Sequence, residues 1–316
     1  MFRVWKILLS LVILISGGGC NSPSEKPLRL GMILWPGYEL LYLAKHENYT
    51  DSSTVRLIQL SSATEVMRAF RQGQLDVAAL TLDEVIRLAQ TEADLRIFLI
   101  TNISNGADKV ISRYPIDGLE QLEGKRMALE ISAVGAMMLM EVLHAADLTR
   151  DQLTLIPSTV DQHIGIMRQA EVDAVISFEP YASALVSEGY HVIFDSSKLQ
   201  NPIIDVLVSR ESIIKQHQQQ FQQLLAGHWQ AVELLKQHPE KALPILKQRL
   251  GQTETALTGI YQGLIIPDFD HNARIIEHDL NGLAASTRDA MFEFGLLNET
   301  PMLDALADNT LHETSR

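Results

Sequence analysis

Cysteine is all but absent from this chain of 316 residues. Cys20 is the only one, so no internal disulfide can form. Basic charge is scarce too. Lys and Arg number 26 against 39 Asp and Glu, a formal net charge of −13, and the basic residues form no cluster. That balance argues against nucleic acid or an anionic lipid surface as a partner. Beyond Cys20 no apolar run reaches the length needed to span a bilayer. The ten His are scattered, with no His-Glu-x-x-His and no close Cys or His pair of ligand spacing. They read as surface or helix-face residues, and no metal site is expected. A phosphate loop and a Gly-x-Ser-x-Gly elbow are also missing, so neither a catalytic residue nor a cofactor is expected.

What is present begins with an export signal. Arg3 and Lys6 precede an apolar stretch, Ile7 to Ile15, and then Ser16-Gly17-Gly18-Gly19 and Cys20. Residues 1–19 read as a signal peptide, with Cys20 as the acylated residue of a lipoprotein. Gly17 departs from the usual lipobox, and ordinary cleavage near Gly19 is the alternative. Residues 20–27, rich in Ser and Pro, read as a lipid-anchored tether to the membrane. The expected location is the bacterial cell envelope, on the periplasmic side.

The body of the chain repeats itself at an offset of 97 residues. Leu30-Gly31-Met32-Ile33 falls on Met127-Ala128-Leu129-Glu130, Arg71-Gln72 on Arg168-Gln169, and Leu75-Asp76-Val77-Ala78 on Val172-Asp173-Ala174-Val175. Two half-modules imply two lobes and a cleft between them. In each, short apolar runs alternate with helical spacing of three and four. Strands are expected at Leu28–Leu34, Thr54–Gln59, Asp76–Leu80, Leu95–Thr101 and Lys109–Arg113, then at Arg126–Ile131, Thr154–Ile156, Asp173–Ser177 and Tyr190–Phe194. This is an α/β pattern, each lobe a mostly parallel sheet flanked by helices. A strand near Ile203–Val208 returns, and helices follow from Glu211. The expected division is 28–113 plus 203–316 for the first lobe and 114–202 for the second, in a monomer.

Ligands of open α/β sheets bind beyond the carboxyl ends of the strands. Those ends carry Trp35 and Tyr38, Ser62, Asp83, Asn105 and Asp108, then Glu130 and Ser132, Thr159, Phe178 and Glu179, and Asp205. Ser62, Asp83 and Thr159 could equally serve as helix N-caps. Trp35 and Tyr38 could pack beneath a loop or form a stacking wall. Glu130 interrupts an apolar strand, and an unpaired buried carboxylate costs several kcal/mol, so it needs a donor, a cation or water.

Four segments carry a resemblance: Trp-Pro-Gly-Tyr-Glu from Trp35, Ser-Asn-Gly-Ala-Asp from Ser104, Leu-Glu-Gly-Lys-Arg-Met-Ala-Leu-Glu from Leu122, and Phe-Glu-Pro-Tyr from Phe178. Over roughly residues 28 to 210 the chain resembles the nitrate/sulfonate/taurine and thiamine-pyrimidine-precursor family. These are periplasmic solute-binding proteins of ABC importers. The resemblance implies a two-lobed periplasmic-binding-protein fold of type II with a helical C-terminal extension. It further implies a pocket lined by Trp35, Tyr38, Ser62, Asp108, Glu130 and Glu179, with an ABC permease as partner. A membrane sensor protein is the alternative partner. Related scaffolds host a few biosynthetic enzymes, which an export signal disfavours.

The ligand class follows from charge. Helix N-termini would favour an anion by about 0.3 to 1 kcal/mol each. Against them stand Asp83, Asp108, Glu130, Glu179 and Asp205, with no Lys or Arg expected among them. One carboxylate–ammonium pair at 4 Å is worth about 4 kcal/mol at an effective dielectric of 20, before desolvation. The expectation is a nitrogenous solute stacked on Trp35 or Tyr38 and held by Asp108 and Glu179, with a sulfonate- or nitrate-type anion as the alternative.

Overall fold

The computed structural model describes residues 26–303, 305–308 and 310–313. The expected signal peptide, Cys20 and most of the expected tether lie outside the described residues.

The first half-module runs β1 (Leu28–Met32), α1 (Glu39–His46), β2 (Val55–Gln59), α2 (Ala63–Arg71), β3 (Val77–Thr81), α3 (Leu82–Ala89) and β4 (Leu95–Ser104). β5 (Asp108–Ser112) ends that half-module, and the second comprises β6 (Arg126–Leu129), α4 (Val134–Ala146), β7 (Thr154–Pro157), α5 (His163–Arg168), β8 (Ala174–Phe178), α6 (Tyr181–Ser187) and β9 (His191–Asp195). β10 (Ile204–Arg210) then returns, and α7 (Glu211–Gln216), α8 (Gln218–Gln237), α9 (Pro239–Leu250), α10 (Glu254–Gln262), β11 (Leu264–Ile265), α11 (Phe269–Arg274) and α12 (Leu280–Glu293) follow. The periodicities explain the element types. All five residues of β3 are buried, as befits a strand covered on both faces. In α2, Val66, Met67 and Phe70 are buried at helical spacing while Arg68 and Arg71 are exposed.

Both sheets share one plan. In the first, β2, β1 and β3 run parallel, β10 enters antiparallel between β3 and β4, and β11 joins the outer edge of β4. In the second, β7, β6 and β8 run parallel, and β5 enters antiparallel between β8 and β9. Each half-module therefore lends a strand to the other's sheet. A lent strand leaves one sheet at its cleft end and enters the other at its cleft end, so it must run backwards. This corrects the division expected from sequence at one point. β5 hydrogen-bonds to β8 and β9, so the first crossing precedes Asp108 and does not follow Arg113. The C-terminal helices belong to the first lobe, with α8 and α9 packed on α1 and α12 on α3.

The repeat is physical as well as sequential. Arg29 binds Asp76 with its backbone N–H at 2.8 Å and its guanidinium at 2.7 and 2.9 Å, and reaches the Gly73 carbonyl at 2.9 Å. Arg126 does the same to Asp173, at 2.9, 3.0 and 3.1 Å, and to the Ala170 carbonyl at 3.1 Å. Each clamp fastens the start of a central strand to the turn before the third strand. Gly73 and Ala170 both hold positive φ, +67° and +58°.

The exposed side of β4 is sealed by unrelated means. β11 pairs with Ile103 and Ser104, while Ile97 exchanges backbone hydrogen bonds with Leu306 and Asp308. Between them the fully buried Asn272 side chain donates to the Ile100 carbonyl and accepts from its N–H.

Candidate functional site

Strand ends and helix starts from both lobes line a pocket whose empty space, part of it open to solvent, is about 370 Å³. Its apolar wall is Ile33, Ala63, Ala79, Ala133 and Val134 with the rings of Trp35, Tyr38 and Phe178. The polar lining is Thr81 and four carboxylates, Glu84, Asp108, Glu130 and Asp205, with no Lys, Arg or His.

The side chains are held by a buried network. Trp35 sits on the turn after β1, and its Nε1–H donates to Asn102 Oδ1 at 3.0 Å. Asn102 Nδ2 donates to Asp205 Oδ2 at 2.7 Å, and the Tyr38 hydroxyl donates to Asp205 Oδ1 at 2.7 Å. A Cβ on Gly37 would strike Asn102 Oδ1, so only glycine lets that turn lie against the network. Trp35 meets Phe178 of the opposite lobe edge to face, with centroids 5.6 Å apart. Glu84 closes a capping box on α3 by accepting from the Thr81 N–H, and its other oxygen accepts from the Val134 N–H across the cleft. Glu130 accepts from the N–H and hydroxyl of Thr64. Asp108 has an oxygen, Oδ2, with no partner.

Burial governs the charges. It lifts the Asp108 carboxyl to about 7, against the pull of Ser104 and Lys109. It raises Asp205 well above the usual carboxylate range, helped by the Asp108 charge, and Glu84 likewise, helped by Asp83. Glu130 and Asp83 rise for the same reason, opposed by hydrogen bonds from Thr64 and Thr81. With no basic side chain in its lining, the cleft raises the proton affinity of each of these groups.

Of the residues expected from the sequence, Trp35, Tyr38, Asp108, Glu130, Phe178 and Asp205 come together on the cavity wall. The others are placed elsewhere. Ser62 is the N-cap of α2, accepting from the Glu65 N–H. Asp83 is buried behind the wall and accepts from the Thr81 hydroxyl. Asn105 is exposed on the crossing, its N–H bonded to the Gly263 carbonyl. Ser132 lies on the exposed rim beside the Thr64 hydroxyl, and Thr159 caps a short turn with Gln162. Glu179 is ion-paired with Lys109 at 2.5 Å and accepts from the Ser183 N–H, so it is not offered to the cavity. No cation is expected from the sequence near these carboxylates; Lys109, at the start of β5, is one. His163 and His228 are buried, not surface residues, and burial pushes the His163 imidazole down to about 4.

Glu84, Asn102 and Thr64 were missed. Thr81-x-x-Glu84 reads as a capping box and is one, which hides the second role of Glu84. Asn102 carried a signal, a polar amide inside the apolar run of β4.

Two sheets, two exchanged strands and an enclosed cleft define the periplasmic-binding-protein fold. The chain belongs to the NMT1-like family, whose model matches residues 21–247. It is 21% identical over 168 residues to the taurine-binding periplasmic protein of Escherichia coli K12, covering 52% of each chain, so it spans about half the length of that curated relative. Among solved structures it is similar to the alkanesulfonate-binding protein SsuA from Xanthomonas axonopodis pv. citri bound to MOPS, with TM-score 0.75, 17% identity and coverage of 90% of this chain and 98% of that one. It is also similar to the desulfurization enzyme DSZB, with TM-score 0.69, 16% identity and coverage of 92% and 99%.

Proposed function

We propose that this chain is an extracytoplasmic solute-binding protein that closes its lobes around a small nitrogen-containing organic solute and delivers it to an ABC importer. One observation carries the reading. The cavity between the lobes is walled by Trp35 and Phe178 and lined by four carboxylates, with no basic side chain in its lining. Among the described residues no group of three or more His, Cys, Asp or Glu is placed to hold a metal ion. The positive partner is therefore an organic N–H donor, an amine, amidine or aminopyrimidine, flat enough to lie against Trp35. Asp108 Oδ2 is its first acceptor. A cation there favours the ionised carboxylates that burial disfavours, so solute and closure stabilise each other. In this reading Cys20 is the acylated residue that keeps the body on the envelope surface.

Titration calorimetry and thermal shift on the purified protein, with benzamidine, 4-amino-2-methylpyrimidine and ethanesulfonate, test the proposal. The expected result is one-to-one binding of a nitrogenous probe with a raised melting temperature and no turnover. Binding of ethanesulfonate alone would refute it.

A further inference from the structure

Two helices aim their first turns into the cleft, one from each lobe. α2 starts at Ala63-Thr64 and α4 at Val134-Gly135. Free N–H groups and the helix dipole make such termini natural seats for an anionic solute group. Here both seats are taken, each by a carboxylate of the opposite lobe. Glu130, in the second lobe, accepts from the Thr64 N–H of α2 at 2.9 Å. Glu84, in the first lobe, accepts from the Val134 N–H of α4 at 3.2 Å.

The local sequence leaves these donors open to the other lobe. The N-cap of α4 is Ala133, whose side chain can accept nothing, so the helix has no cap of its own. Ser62 caps α2 through the Glu65 N–H and leaves Thr64 to Glu130. A second feature points the same way from a different residue. Asp108 lines the cavity, is 3% exposed, and its Oδ2 has no partner. That atom needs a donor and repels an acceptor.

We infer that Glu84 and Glu130 are specificity-determining residues, built-in counter-ions that close both helix N-termini to anionic solutes and reserve the cavity for a hydrogen-bond-donating cation. The inference rests on the solute-binding reading of the cleft. An entering sulfonate or carboxylate group would have to take the N–H groups from Glu84 or Glu130 and then lie beside the displaced charge.

The test is calorimetric titration with ethanesulfonate, a probe with no N–H group, and separately with benzamidine. Glu130→Ala frees α2. Glu84→Gln removes the charge facing α4 while keeping an acceptor for the Thr81 N–H. The wild type is expected to show no saturable ethanesulfonate binding up to about 10 mM, and each variant to gain at least roughly tenfold. If Glu130→Ala fails to fold, Glu130→Gln drops the charge but keeps an acceptor for Thr64, and gives the same readout. Wild-type binding of ethanesulfonate as tight as that of the variants overturns the inference, and so do folded variants that gain nothing. Benzamidine reads the other proposal separately. Its binding to a wild type whose variants stay blind to ethanesulfonate would leave the cleft reading standing and remove only the role of Glu84 and Glu130.

Discussion

With one oxygen unpaired at the cavity wall and its carboxyl lifted by burial to about 7, Asp108 is poised to titrate near neutral pH. A cationic solute binds the ionised form, so below pH 7 binding must first expel a proton. Benzamidine affinity measured from pH 5 to 8 should therefore fall as pH falls, by up to about tenfold per unit from this group. Asp108→Asn should weaken binding at pH 8 and flatten the profile; an unchanged profile in that variant would remove Asp108 from the site. At this scale the sequence was legible wherever chemistry and position agreed. Trp35, an aromatic on a Pro-Gly turn at a strand end, could be read directly. Glu179 could not, because its partner Lys109 stands on a strand that the sequence assigns to the first lobe and that pairs in the second sheet.

Elements were more legible than residues. The strand starts of both half-modules fall within a residue or two of expectation. Apolar periodicity is local and can be read locally. Sheet membership is not local, and β5 shows it: its five residues read as a strand, but only pairing with Phe178 and Asp195 at their two distant strand ends decides where it goes. The duplicated clamps supply a prediction of their own. Where the first half-module has Gly73 at φ +67°, the second has Ala170 at φ +58°. A left-handed non-glycine residue costs roughly 1–2 kcal/mol, and glycine gives back about 0.5–1 kcal/mol in chain entropy. Ala170→Gly should thus stabilise the protein by roughly 0.5–1 kcal/mol in urea unfolding. No gain, or a loss, would mean that the turn carries no strain.

The whole molecule answers to the same buried acids. Glu84, Asp108, Glu130 and Asp205 all have raised carboxyl pKa values in the closed cleft, burial being the leading cause for each. The closed form therefore holds more protons than a hydrated, opened one, whose carboxyls titrate near 4. Its proton-linked stability is fully present below about pH 4 and is lost as pH rises through the raised values, about 7 for Asp108. Without solute, the radius of gyration from small-angle scattering should rise between pH 5 and 8, and benzamidine should reverse the rise. A pH-independent radius would show that closure is indifferent to these charges. Two-lobed architecture was legible from the 97-residue echo. The reciprocal reach of Glu84 and Glu130 was not, since it joins residues that only lobe closure brings together. The sealed flank of β4 bears on a different hazard. An uncovered strand edge is a template for pairing with another copy of the chain. β4 is completed by residues 264–308, synthesised well after it, so a nascent or C-terminally clipped molecule exposes the ladder between Ile97 and Ser104. Its route to aggregation runs through that flank, and the C-terminal region is as much a guard against self-association as a part of the fold.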